Sequence, residues 1–179
     1  MKKPIHCLLF LLLLLVTQMA AAKSAQEINI LVDATLKRFN KEVTGGREFL
    51  NHAVGVLVFP KVLKAGIGIG GEYGEGALRV GGKSVAYYST ASASIGFQLG
   101  AQSKAVVIVF LKESALSDFQ NKKGWKVGVD GSVAIVKWGV GENINSMDIK
   151  DPIVGFVFSN KGLMFNLTLE GSKITQLKR

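Results

Sequence analysis

The sequence predicts an α+β, β-rich domain. Its sheet should be strongly curved or barrel-like and mainly antiparallel, with an N-terminal amphipathic helix and one or two short helices. Three observations lead there. Glycines at 55, 66, 68, 70, 71, 74, 76, 81, 82, 96 and 100 sit among β-branched and aromatic residues. That density costs backbone entropy and suits strands that curve tightly or approach another backbone closely. Tyr87 to Gly100 alternates with period 2, which marks a long strand or a bent pair with a core face and a polar face. Upstream, Ile28, Val32, Leu36, Phe39 and Val43 recur at helical spacing.

The first residues are set apart from that domain. Lys2 and Lys3 precede an unbroken apolar run from Leu8 to Val16, and Ala20-Ala21-Ala22 offers an A-x-A cleavage signal before Lys23. Residues 1–22 read as a secretory signal peptide, which leaves 23–179 as a single domain. The apolar run is too short for a membrane span, which takes about 20 residues. Cys7, the one cysteine, lies in this segment and precedes the apolar run, which argues against lipidation. The exported chain would hold no disulfide and would depend on packing alone.

The remaining elements follow in order. Ser24 and Glu27 fit a capping box that opens a helix over 24–43. Gly45-Gly46 ends it, and a short second helix is expected from Arg47 to Ala53. Gly55 to Phe59 is an apolar strand that Pro60 should stop. In Tyr87–Gly100, Tyr87, Ser89, Ala91, Ala93, Ile95, Phe97 and Leu99 share one face; Tyr88, Thr90, Ser92, Ser94, Gly96, Gln98 and Gly100 share the other. Ala105 to Leu111 is continuously apolar, as a strand covered on both sides would be. Glu113 to Gln120 predicts a short helix, ended by Lys122-Lys123-Gly124. Val127 to Trp138 returns to strand, with Asp130-Gly131 as a turn or bulge, and Gly139 to Asp151 is loop. Ile153–Ser159 and Leu163–Glu170 predict a hairpin around Asn160-Lys161-Gly162.

Little here supports catalysis. Gly66, Gly68 and Gly71 satisfy G-x-G-x-x-G, but a dinucleotide site needs a helix to begin there. The next residues are Glu72-Tyr73-Gly74-Glu75-Gly76, a poor helix start whose two acids would repel a phosphate. Beyond the signal segment the one histidine is His52, so neither a zinc site nor a Ser-His-Asp triad has its parts. Glu72/Glu75 and Asp148/Asp151 are most simply solvated loop charges, and Glu142–Asp151 lacks a calcium-loop motif. Asn166-Leu167-Thr168 has the form of a glycosylation sequon inside an expected strand. No enzyme activity, metal or cofactor is expected.

Charge points elsewhere. The formal net charge is +9, with 22 lysines and arginines against 13 acids. Basic residues cluster at Lys37, Arg38 and Lys41, at Lys61 and Lys64, at Lys122, Lys123 and Lys126, and at Lys173, Lys178 and Arg179. An exported basic protein meets anionic lipid or envelope partners rather than nucleic acid. The plainer reading is that scattered lysines keep the protein soluble. A membrane barrel is disfavoured, because the chain ends Gln176-Leu177-Lys178-Arg179 with no terminal aromatic and 105–111 suits a covered core.

The blocks VGVLVFPKVLKAGIGIGGEYGEGAL (54–78), YYSTASASIGFQLGAQS (87–103) and SNKGLMFNLTLEGS (159–172) together resemble the SYLF domain family, over nearly all of 26–177. Lys137-Trp138-Gly139-Val140-Gly141 stands where members often carry Gly-Pro-x-Gly. The resemblance implies a domain that binds membrane phospholipids, phosphoinositides in eukaryotic members and actin in yeast ones, without catalysis. An exported chain would meet neither actin nor phosphoinositides routinely. The expectation is therefore a non-enzymatic domain, periplasmic or extracellular and peripheral to the membrane. It would bind anionic phospholipid through Lys37, Arg38, Lys41, Lys61 and Lys64. The alternative is an envelope protein–protein interaction or structural module. On the helix, the apolar stripe should pack on the sheet and leave its basic flank for lipid.

Overall fold

The computed structural model describes residues 23–137, 151–161, 169 and 171–179. The expected signal peptide (1–22), most of the 139–151 loop, nearly all of the 163–170 strand and the 166–168 sequon lie outside the described residues.

Helix α1, Ala25–Glu42, begins as its sequence predicts: the Ser24 hydroxyl accepts the Glu27 backbone N–H at 3.1 Å. Its buried stripe is Ile28, Val32, Thr35 and Phe39. Thr35 is admitted because its hydroxyl donates to the Leu31 carbonyl at 2.8 Å. Gly45 takes a left-handed φ of 77°, and helix α2, Gly46–Asn51, follows at once. Both helices lie on one face of the sheet. Ile28, Val32, Phe39 and Phe49 bury against Val56, Val58, Ala77, Val107, Val109, Val154, Phe156 and Phe158. Phe39 and Phe49 each meet Phe156 edge-on at 4.9 Å between ring centroids, a geometry worth about 0.5–1.5 kcal/mol beyond area burial.

Two long strands dominate the fold: β1, Gly55–Val80, and β2, Lys83–Phe110, of 26 and 28 residues. They pair antiparallel through the two-residue turn Gly81-Gly82, whose φ values of 57° and 78° are those of a type I′ hairpin. Pro60 does not stop β1 as expected. Phe59 pairs with Val106 and Val62 with Lys104, so Pro60 and Lys61 share the place opposite Ala105. A bulge is where a strand accepts a proline, since no ladder N–H is needed there. It also shifts the alternation. Before it Leu57 and Phe59 join the core on the face away from α1, and after it Val62 does.

A larger irregularity falls between Ile67 and Ile69, where Gly68 stands opposite residues 96–98. The ribbon bends there, and β1 folds back along itself. A β-carbon on Gly66 would stand 2.3 Å from the Gly70 Cα; on Gly74, 2.9 Å from the Lys61 carbonyl oxygen; and on Gly76, 1.9 Å from that of Val58. Only hydrogen fits between the two arms, and this accounts for glycines 66, 74 and 76.

Strand β2 carries the rest of the sheet. After helix α3, Glu113–Asn121, come β3, Trp125–Lys126, β4, Ala134–Lys137, β5, Ile153–Lys161, and β6, Lys173–Leu177. The strand order is β3-β6-β2-β5-β4, with β1 paired to β2; among the described residues only β4–β5 is parallel. This is the curled, mainly antiparallel sheet the sequence predicts. Residues 105–110 are covered on both sides, as expected: Val106, Ile108 and Phe110 join one core, Ala105, Val107 and Val109 the other. Leu116 and Phe119 of α3, with Trp125 and Tyr88, close the first.

Two expectations are corrected. In 87–93 the more polar alternation points inward: Tyr88 and Thr90 are buried, while Ala91 and Ala93 are exposed. Tyr88 finds Phe119 at 5.0 Å inside the curl, where a large ring fills the space that alanine would leave. Val127–Trp138 is not one strand. Gly128 has a left-handed φ of 78°, and the Asp130 carboxylate accepts the Lys126 backbone N–H at 2.7 Å. That contact makes a turn between β3 and β4.

Candidate functional site

The five basic residues singled out by sequence do not share one environment. Lys37 and Lys41 are exposed on α1. Arg38 is half-buried: its Nε and Nη2 donate to the two Glu42 carboxylate oxygens at 3.1 and 3.2 Å, and its guanidinium lies 5.4 Å from the Phe158 ring centroid. Lys61 stands exposed at the β1 bulge.

Lys64 is turned inward. The bulge at Pro60 puts even-numbered positions on the inner face, and Lys64 Nζ lies 3.4 Å from Glu72 Oε1 there. Lys104 Nζ reaches Glu72 Oε2 at 2.5 Å with 1 % of its side chain exposed. Sequence reasoning missed Lys104 and treated Glu72 as a loop acid. Both belong to a buried ionic cluster made by the fold-back of β1, which brings residues eight positions apart into contact. Removing Glu72 from this cluster takes away the carboxylate that both buried ammonium groups share, at a cost of about 3–5 kcal/mol.

The outer face of the ribbon is different in character. Leu63, Ile69 and Tyr73 are 50 %, 72 % and 51 % exposed, and Ala65, Ala91 and Ala93 are exposed beside them. Residues directly opposite in an antiparallel ladder share a face. Tyr73 pairs with Ala91, Ala91 with Lys173, and Lys173 with Lys126. A row across four strands thus runs from an exposed aromatic to two exposed lysines. Two acids border this row and both are paired: Glu75 accepts the Tyr73 hydroxyl and Arg179 Nη2, each at 2.9 Å, and Asp130 accepts Lys122 Nζ at 2.6 Å and the Lys126 backbone N–H at 2.7 Å. Partial burial and the Glu75 carboxylate hold the Tyr73 phenol above its ordinary value, so it stays neutral.

The opposite end of the ribbon is tied to α1. Asn29 donates to the Tyr87 hydroxyl at 3.0 Å and accepts from Ser84 at 2.6 Å, and Arg79 Nη2 meets Asp33 at 2.5 Å. These bonds fix the helix across the sheet, so that Lys37 and Lys41 hold a set position relative to the ribbon. His52 is exposed, with Nδ1 2.9 Å from the Glu48 carbonyl oxygen. Among the described residues no three histidine, cysteine or acidic side chains cluster as metal ligands. No described helix is long and apolar enough to cross a membrane.

The family model described as Ysc84, Las17-binding protein actin regulator, matches residues 91–179. The matched segment begins within β2, next to the exposed row, and takes in α3 and every later strand. No curated protein matches the chain.

Proposed function

We propose, from the premise that this chain belongs to the SYLF family through residues 91–179, that it is an exported, non-enzymatic domain that binds the surface of anionic phospholipid membranes. The observation that carries this reading is the pairing of charges. Among the described residues every salt bridge engages Arg38, Lys64, Arg79, Lys104, Lys122 or Arg179. Lys37, Lys41, Lys61, Lys126 and Lys173 stand exposed outside those pairs. Basic side chains of this kind near an anionic bilayer contribute about 1 kcal/mol each. Lys64 is not among them, because its charge is spent on Glu72. Export rests on the pattern of Lys2-Lys3, the apolar run and Ala20–Ala22.

Flotation with phosphatidylcholine vesicles, with and without phosphatidylglycerol, tests the reading. Recovery should require the anionic lipid and fall when Lys37, Lys41, Lys61, Lys126 and Lys173 are reversed to glutamate. Equal recovery with neutral vesicles, or indifference to the reversal, sinks it. The second reading is a protein-binding module, which the description of the matched family as a Las17-binding actin regulator favours. Co-sedimentation with actin filaments in the absence of lipid would separate the two.

A further inference from the structure

The geometry points to the bent β1–β2 ribbon, rather than α1, as the part that enters the headgroup region of an anionic bilayer. This rests on the phospholipid reading above and says which surface makes the apolar contact.

The ribbon is thin where it bends. Strand β6 pairs with β2 only as far as Ala91, and β5 only from Ser103. Between them, residues 92–102 of β2 have β1 on one side and no other described strand. Helix α1 covers the outer face at Ala77 and Tyr87 and does not reach Tyr73. Ile69, whose partner is Ile95, projects from this stretch, and Leu63 and Tyr73 stand at its two borders, opposite Ser103 and Ala91. These are three of the six large apolar side chains found exposed among the described residues.

Charge selects the occupant. Strand β2 contains no acid, and the two acids of β1 are Glu72 and Glu75. Glu72 is buried against Lys64 and Lys104, and Glu75 is held by Arg179. The segment thus offers apolar side chains and no unpaired acid. Lys61 lies at one border, and Lys173 and Lys126 at the other. An apolar surface rimmed by lysines is complementary to a bilayer of anionic lipid. Tyr73 suits the interface, with an apolar ring and a polar tip.

The backbone limits how deep this goes. Among the described residues strand β1 has a ladder partner on one side only, and unpaired amides are costly in hydrocarbon. The ribbon therefore stays at headgroup depth, with Leu63 and Ile69 reaching past it.

The chain offers a local probe, since Cys7 is its one cysteine. In a Cys7→Ser background, Ile69→Cys carries a nitrobenzoxadiazole label, and Ser114→Cys on α3 serves as the control. With phosphatidylcholine–phosphatidylglycerol vesicles, emission from position 69 should rise and shift blue, and position 114 should not respond. A second variant, Leu63→Asp with Ile69→Asp, should weaken anionic-vesicle affinity about tenfold or more, since each side chain loses apolar burial, with thermal stability unchanged. Vesicle flotation without a response at 69, or with a smaller loss in the double variant, overturns the ribbon assignment and leaves the phospholipid reading standing. No flotation at all overturns both. Dimerisation without lipid that the same two aspartates abolish would assign the surface to a second copy and overturn the inference.

Discussion

The base of the β1–β2 ribbon and its bend are built from the same two strands and are solved in opposite ways. At the base, Leu57, Val58, Phe59 and residues 105–110 are all buried, with α1 and α2 on one face and α3 on the other. At the bend, the inner face is closed by glycine backbone contacts and an ionic cluster, and Leu63, Ile69 and Tyr73 stand exposed on the outer face. The base therefore draws its stability from packing on both sides. At the bend Leu63, Ile69 and Tyr73 are not taken up by the core, so they can serve something other than the fold.

Substitutions at the two ends should separate those roles. The largest effect is expected at the base. Phe156 receives both Phe39 and Phe49 edge-on, and Phe156→Ala should cost about 3–5 kcal/mol, read by urea denaturation. Next comes the inner face of the bend. Glu72→Ala leaves Lys64 and Lys104 without the carboxylate that joins them, and a loss of about 3 kcal/mol is expected. If Glu72→Ala were neutral, the ionic cluster would not be what holds the bend. A smaller effect belongs to the end of α1, where Ser24→Ala removes the N-cap bond at about 1 kcal/mol.

The legibility of these regions in sequence follows the range of the interactions. The N-cap and the α1 stripe were readable because both are local and periodic. The continuously apolar 105–110 was readable because burial on both faces leaves no polar position. The glycine-dense run pointed correctly to close backbone approach, but not to which glycine meets which carbonyl. What failed depends on long-range geometry. The bulge at Pro60 puts Lys64 inside, where a surface lysine was expected, and the curl of β2 buries Tyr88 in place of Ala91. Lys104 could not be paired with Glu72 from sequence, because the contact exists only once β1 folds back. A proline inside an otherwise good strand pattern was the available signal for the bulge.

The Asp130 turn should show a pH signature of its own. Hydrogen bonds from the Lys122 side chain and the Lys126 backbone N–H, the first the larger cause, hold its carboxyl below its ordinary value of 3.8. A depressed carboxylate favours the folded state above the unfolded pKa and loses that contribution as pH falls through the folded one. Asp130→Asn should thus lower the melting temperature slightly at neutral pH. The two proteins should converge as pH drops below about 4, in a calorimetric series down to pH 3. A constant difference across that series would mean the turn is held by its shape and not by the charge.

The smallest stability effect is expected where function is proposed. Leu63→Asp and Ile69→Asp change positions that are 50 % and 72 % exposed, and such surface changes usually stay within about 0.5 kcal/mol. The aspartates would meet water in the free protein as readily as leucine and isoleucine do. A melting temperature that falls with them as steeply as with Phe156→Ala would mean the outer face is covered in solution, and the contrast between base and bend would collapse. An unchanged melting temperature together with lost vesicle affinity would mean that the apolar residues at the bend are kept for an external surface, since the fold does without them.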